Sequence, residues 1–276
     1  MAVEPTMTRY IRPNGFAAAA LAAAFFGLAA APVSAQDAGS GHIVTIGAGP
    51  QVYPKYPGAD SYGLYPMFIG GIRRPGQPMP FSAPDQGFGF GLLGSDSPID
   101  IGPVVSFQSK REEQDVGAPV GDVGFTAEVG GFAQVWIGPN VRIRGDLRRG
   151  IGGHKGLIGD IGADLVLRDR DRYIFSIGPR VRLSNGRYQD AYFRVTPAAA
   201  LASGLPAYDP PGGGAHAIGV QSGLTWRTGR NWGLYGYAGY DRLIGDAARS
   251  PIVRDLGSRD QFSGGIGLFY EFHVGL

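Results

Sequence analysis

Cysteine is absent from the 276 residues, which excludes a disulfide framework and any thiolate metal site. Net charge is nearly absent too: the formal value is +2, and a balance so close to neutrality gives no support to a nucleic-acid partner. The four histidines, His42, His154, His216 and His273, are scattered without HExxH spacing, so the zinc-protease pattern is missing. No GxSxG elbow or phosphate-cradling loop occurs. Gly89-Phe90-Gly91-Leu92-Leu93-Gly94 matches GxGxxG by letters alone, because Pro98 and more extended sequence follow where a dinucleotide site needs a helix. A barrel hydrolase would draw on His273, two residues from Glu271, but that histidine lies on the polar parity of its segment. The expectation is no enzyme, with no catalytic residue, cofactor or metal.

Long apolar runs are also scarce. The one near the N-terminus, residues 16–31, follows Arg9 and Arg12 and precedes the small-residue site Pro32-Val33-Ser34-Ala35. That order of basic, apolar and cleavage regions predicts a signal peptide over residues 1–35 and a mature chain of 36–276. Beyond residue 36 no run approaches the roughly 18 residues of a transmembrane helix. The mature chain is therefore secreted, or it crosses a membrane by strands.

What the chain has in quantity favours strands: 47 Gly, 21 Pro, 15 Phe and 13 Tyr suit barrel walls and tight turns. Disorder also uses Gly and Pro, but a disordered chain has no reason to keep a regular alternation. The alternation is clearest at the end, where Ile266, Leu268, Tyr270, Phe272, Val274 and Leu276 share one parity against Gly267, Phe269, Glu271, His273 and Gly275. A period of two sends these sets to opposite faces, one of them fit for lipid, as in the closing strand of an outer-membrane barrel.

We read β segments at residues 42–52, 62–72, 86–93, 99–108, 122–136, 141–149, 155–168, 172–183, 191–196, 215–227, 232–243 and 261–276, none with a helical period. The fold class predicted is all-β: a transmembrane antiparallel up-and-down barrel of about 12 strands, or about 10 if segments are wrongly divided. Val141, Ile143 and Leu147 alternate with Arg142, Arg144, Asp146 and Arg148. Slipping this register by one would turn three arginines towards lipid at roughly 2–4 kcal/mol each near the midplane. The same parity faces Arg172, Arg180 and Arg182 inward, and it places Val123, Phe125, Val129 and Ile137 on the lipid side. A lumen of mixed charge follows. Both termini should lie on the periplasmic side, with the long connections 197–214 and 245–260 outside and those at 73–85 and 109–121 on the periplasmic side.

Two loop segments are richer than spacers need to be. One contains Pro54, Tyr56, Pro57, Gly58 and Asp60; the other contains Asp246, Ser250 and Pro251. Rigid prolines and aromatics suit an interaction surface or a plug, and they equally suit turns that pack on themselves.

Several blocks in order carry a family resemblance: PKYPGAD at 54–60, GPRVRLSNGRYQDAYFRVT at 178–196, SGLPAYDPPGG at 203–213, DRLIGDAARSPIV at 241–253 and GSRDQFSGGIGLFYEF at 257–272. The chain resembles the MltA-interacting protein family, the MipA/OmpV outer-membrane proteins, over essentially the whole mature region. Leu276 departs from the usual terminal phenylalanine, which bears on the barrel-insertion machinery, although Tyr270 and Phe272 keep the aromatic pattern. Arg194 stands where glycine is expected. The resemblance implies a non-enzymatic scaffold in the outer membrane of a Gram-negative bacterium. There it would contact outer-membrane lipid and bring a murein lytic transglycosylase together with a peptidoglycan synthase. A narrow channel for small polar solutes is the alternative.

Overall fold

Alternating apolar and polar residues interrupted by tight turns cannot bury one face within a single hairpin, so successive hairpins join edge to edge into one curled wall. The computed structural model describes residues 41–94 and 97–275; the expected signal peptide and Leu276 lie outside them. Its strands are β1 (His42–Pro54), β2 (Tyr62–Arg73), β3 (Phe88–Gly89), β4 (Ile99–Gln108), β5 (Thr126–Ile137), β6 (Val141–Gly152), β7 (Leu157–Asp169), β8 (Tyr173–Ser184), β9 (Gly214–Arg227), β10 (Trp232–Leu243) and β11 (Asp260–Val274). All eleven form one antiparallel sheet in the order β2-β1-β11-β10-β9-β8-β7-β6-β5-β4-β3. The terminal strand zips against β1, from His42 beside Val274 to Val52 beside Gly264. Among the described residues no ladder joins β2 to β3 or β4, so the wall is a half-barrel with an open seam there. Pro66 on the free edge strand β2 removes a backbone donor that an edge would otherwise present.

Side chains sort by parity. Leu147, Ile151, Ile161, Leu165, Leu224, Ile266 and Leu268 are exposed on the outside, an apolar band that water would not tolerate over such an area. The band is edged by aromatics. Tyr173, Trp226, Trp232 and Tyr270 sit near one end, with the Trp232 and Tyr270 rings edge to face at 4.8 Å. Towards the other end Phe107 stacks on Phe125 at 5.9 Å and Tyr240 leans on Phe262 at 5.1 Å. Two girdles around an aliphatic belt are the marks of a membrane barrel.

The two ends differ. The start of β1, the end of β11 and the short turns at 138–140, 170–172 and 228–231 share one, the turn end. The opposite, capped end carries α1 (Glu113–Val116), α2 (Gly186–Phe193), α3 (Pro197–Ser203), α4 (Gly245–Arg249) and α5 (Pro251–Asp255). The all-β expectation holds for the eleven-stranded wall, and these short helices lie in the connections between its strands. The segment at 191–196 is not a strand, because Asn185 accepts from the Tyr188 amide and starts α2 in its place. Thr196 then caps α3, with Pro197 in its first turn. The connection at 109–121 lies at the capped end, not on the side of the termini. Val123 precedes β5 and is buried in the cap rather than facing lipid, and Arg172 is exposed in the β7–β8 turn rather than inward.

The segment at 86–93 contributes only the two residues of β3, whose Phe88 pairs with Val105. Its shortness follows from the route of residues 74–87, which leave β2 at the turn end and rise inside the curl before joining the wall. An odd number of strands thus returns both termini to one end, since one upward crossing runs through the interior.

Candidate functional site

The interior is built from the inward parity of β5 to β8. Arg142 and Arg148 alternate with Ile143 and Leu147, and the antiparallel register sets Arg142 beside Asp164 and Asp146 beside Asp160 on β7. Arg142 donates to Asp164 at 2.5 Å. The Arg148 guanidinium meets three carboxylates: Glu128 at 3.0 Å, Asp146 at 2.6 Å and Asp160 at 2.5 Å. From β8, Arg180 reaches the other oxygen of Asp164 at 2.7 Å, and Arg182 reaches Asp160 at 3.2 Å and Asp241 at 3.3 Å. Arg144 makes no ion pair among the described residues; its guanidinium lies 3.6 Å over the Phe132 ring and donates to Gln134 at 3.3 Å. Shared carboxylates tie these strands into one network, which satisfies most of its buried charge internally.

The rising segment 74–87 fills the space in front of this wall. At the turn end Asp171 accepts from the Met79 amide at 2.9 Å, while Arg73 and Arg227 close on Glu271 at 3.5 and 2.5 Å. Higher up, Phe81 meets the edge of Trp136 at 6.0 Å and lies 4.4 Å beneath the Arg142 guanidinium. Met79 joins Val166, Ile174 and Phe269 in one buried cluster, against which Ile69, Phe81, Trp136 and Tyr235 pack. Pro84 approaches β9 where Gly223 leaves room: a Cβ at Gly223 would stand 2.8 Å from the proline ring. At the top Asp85 accepts from Arg180 Nε at 2.7 Å and from Arg182 at 2.9 Å. This plug spans the interior and locks onto the wall through one carboxylate.

The cap closes the other end. Tyr56, Tyr192, Phe193, Ile252 and Val253 are almost fully buried in it, and Ser250 donates to the Phe193 carbonyl at 2.7 Å. Gly58 adopts φ +97, in the left-handed region, with its amide bonded to Gln261 at 2.9 Å. Arg111, 2% exposed and without a carboxylate partner among the described residues, donates to the carbonyls of Tyr192 and Gly121 at 2.9 and 2.8 Å. Burial pushes the Tyr56 phenol up to about 12.

Pro54 ends β1, and Pro57 is half-buried in the turn after it. Arg142, Arg144, Asp146, Arg148, Arg180 and Arg182 meet in the interior network. The two loop motifs come together: Tyr56, Ser250 and Pro251 are buried in the cap, Asp246 accepts the Arg249 ion pair on α4, and Asp60 is exposed. Their packing is on each other, so Tyr56 and Ser250 are not free surface. On β11, Ile266, Leu268 and Tyr270 are exposed on the outer face, while Phe272 and Val274 are half-buried on it. Glu271 faces inward and is committed to Arg73 and Arg227. Sequence reasoning missed Asp85, whose segment reads as a loop; the usable signal was a lone acid in a 14-residue connection, opposite a strand carrying unbalanced arginines.

The family described as MltA-interacting protein MipA matches residues 46–272, from within β1 to the end of β11, wall, plug and cap included. The chain belongs to this family. It is a MipA-family outer-membrane β-barrel. No curated protein matches it. Among solved structures, the outer membrane protein OprG from Pseudomonas aeruginosa is similar at 10% identity over 86% of this chain and 98% of that one. Its TM-score is 0.19, too loose a superposition to carry detail across. The MipA-family assignment thus rests on the match over residues 46–272, and the interior network and plug are described from this chain alone.

Proposed function

We propose that this MipA-family protein is a plugged, non-enzymatic barrel of a Gram-negative outer membrane that works through its ends as an interaction scaffold rather than through its interior as a pore. The observation that carries the reading is the plug. Residues 74–87 occupy the interior, and Asp85 joins the arginines of β8, so the groups that would line a solute path are spent on each other. In this reading the termini and short turns face the periplasm and the cap faces outwards, the usual asymmetry of such barrels. The family's description as an MltA-interacting protein supports a murein lytic transglycosylase as a partner at the turn end, with a peptidoglycan synthase as its natural companion.

Photocrosslinking from Asn140, Arg170 and Arg230, one in each short turn, tests the partner. Capture of a lytic transglycosylase from these positions, and not from Leu201 on the cap, is expected. Capture of neither enzyme at the turn end would sink the scaffold reading. A second reading, a narrow channel, is favoured by the charged interior itself. Planar-bilayer recording separates the two: steady stepwise conductance of the unaltered protein, changed by Arg142→Gln or Arg180→Gln, would establish the channel and displace the scaffold.

A further inference from the structure

The outer wall of β5 to β8 is dented. Gly131, Ala133, Gly145, Leu147, Ile161 and Leu183 border a shallow, open and almost wholly apolar groove of about 630 Å³. Packing inside the wall does not require this dent. A Cβ at Gly145 would meet nothing nearer than the Asp160 carbonyl oxygen at 3.8 Å, and one at Gly131 nothing nearer than the Gly102 oxygen at 3.5 Å. Inward glycines differ: at Gly47, Gly49 and Gly130 a Cβ would press to within 2.4 Å of a neighbouring carbonyl oxygen, whereas the outward Gly70 and Gly236 are as open as Gly131. Gly131 and Gly145 therefore have room for a side chain and lack one.

A cation stands at the upper rim. Arg149 follows Leu147 on the outward parity of β6, pairs with Leu157 beside the groove, and is exposed. It has no ion pair or side-chain hydrogen bond among the described residues. The other outward strand arginine, Arg242, is neutralised by Asp260 at 2.5 Å. Arg149 lies across from Val129, four residues along β5 from Phe125 of the upper girdle. An unpaired cation on a lipid-facing wall costs free energy that falls away near the interface, where an anionic headgroup meets it.

We propose that this groove binds one lipid with an anionic phosphate headgroup, its acyl chain laid along Gly145 and Gly131 and its phosphate on Arg149. Hydrocarbon around the barrel offers no hydrophobic drive to fill a dent, so the chain is retained by dispersion contacts with Leu147, Ile161 and Leu183, and selected by the charge. The inference depends on the membrane-barrel fold and is independent of the scaffold reading.

The test is native mass spectrometry of detergent-solubilised full-length protein, titrated with dipalmitoyl phosphatidylglycerol or dipalmitoyl phosphatidylcholine, which share chains and differ in net charge. One retained phosphatidylglycerol per chain is expected, favoured about fivefold, the ratio that roughly 1 kcal/mol per arginine gives. Arg149→Gln should erase the preference and keep a bound lipid; Gly145→Leu should lose both lipids; Arg242→Gln should change neither. Ala133→Leu fills the same groove and replaces Gly145→Leu if that variant fails to show heat-modifiable migration. Equal retention and preference in the unaltered protein, Arg149→Gln and the groove-filled variant would overturn the proposal, as would displacement of the lipid by inorganic phosphate.

Discussion

Replacing Asp85 with asparagine should free the plug while leaving the wall intact. The carboxylate accepts from Arg180 at 2.7 and 3.2 Å and from Arg182 at 2.9 Å, and its loss leaves two arginines short of a counter-charge away from bulk water. Removing one partner of a buried pair costs roughly 3–5 kcal/mol. The lower end applies, because Arg180 keeps Asp164 and Arg182 keeps Asp160 and Asp241. About 3 kcal/mol is about a hundredfold in the plug's docking equilibrium.

Trp136 reads that equilibrium directly, since its ring meets Phe81 of the plug at 6.0 Å, whereas Trp226 and Trp232 lie in the outer girdle. In a Trp226→Phe, Trp232→Phe background reconstituted in vesicles, urea should change Trp136 emission at lower concentration in Asp85→Asn than in the parent. Heat-modifiable migration should be unchanged. Hydrogen exchange at the Met79 amide, which donates to Asp171, should accelerate by a similar factor. Pairing Asp85→Asn with Arg182→Gln should cost less than the sum of the single changes, as contacting residues do. The reasoning is refuted if Asp85→Asn stays within about 0.5 kcal/mol of the parent and adds independently to Arg182→Gln.

Three further outcomes follow from the geometry. Ser250→Ala removes both the cap on Ile252 and the bond to Phe193. It should loosen the cap by about 1–2 kcal/mol, read as faster proteolysis at 244–259 with the wall still heat-modifiable. Gly178→Val would put a Cβ 1.7 Å from the Ala163 carbonyl oxygen; destabilisation at or beyond the upper end of the roughly 1–3 kcal/mol overpacking range is expected in urea unfolding, against a near-silent Gly145→Val. Tyr56 ionises at about 12 in the folded cap against about 10 when unfolded. The folded state therefore holds the proton longer, and its stabilisation is complete below pH 10 and lost as pH rises through 12. Cap opening followed by proteolysis should steepen over that window in the parent and not in Tyr56→Phe.

Strand register was legible because a mistake in it is costly. Arg142, Arg144 and Arg148 of β6 stay off lipid in one parity only, and Asp146 beside Asp160 and Arg142 beside Asp164 keep that parity. The route of 74–87 was not legible, since alternation reports a polar face and a lipid face but not what a polar face touches. Met79, Phe81, Ala83 and Asp85 do alternate with Pro80, Ser82 and Pro84, but prolines so close together read as a connection rather than a strand, although Met79 clusters with Val166 and Phe81 meets Trp136. The helices of the cap escaped for a different reason. At four to eight residues they are too short for a 3.6-residue period to accumulate, although Asn185, Thr196-Pro197 and Ser250-Pro251 are start signals in their own right. Gly91 illustrates the limit of letters: it belongs to a GxGxxG string, and the structure places it against the Asp100 carboxylate at the sheet edge.

The plug also explains why an interior so rich in arginine is compatible with an incomplete wall. β2 offers an unpaired edge, and an unpaired edge in hydrocarbon is costly. Yet Ile69 of β2 and Trp136 of β5 pack, from opposite sides of the seam, against the one interior cluster to which Met79 of the plug belongs. The segment therefore acts as a strut where backbone hydrogen bonds are missing, and Asp85 sets its height against β8. If that account is right, freeing the plug should weaken the seam before any other part of the wall. In Asp85→Asn, amide exchange should then rise in β2 and β4 ahead of β7 and β8, which are paired on both edges. Uniform exchange across the sheet would show instead that the wall stands without its strut.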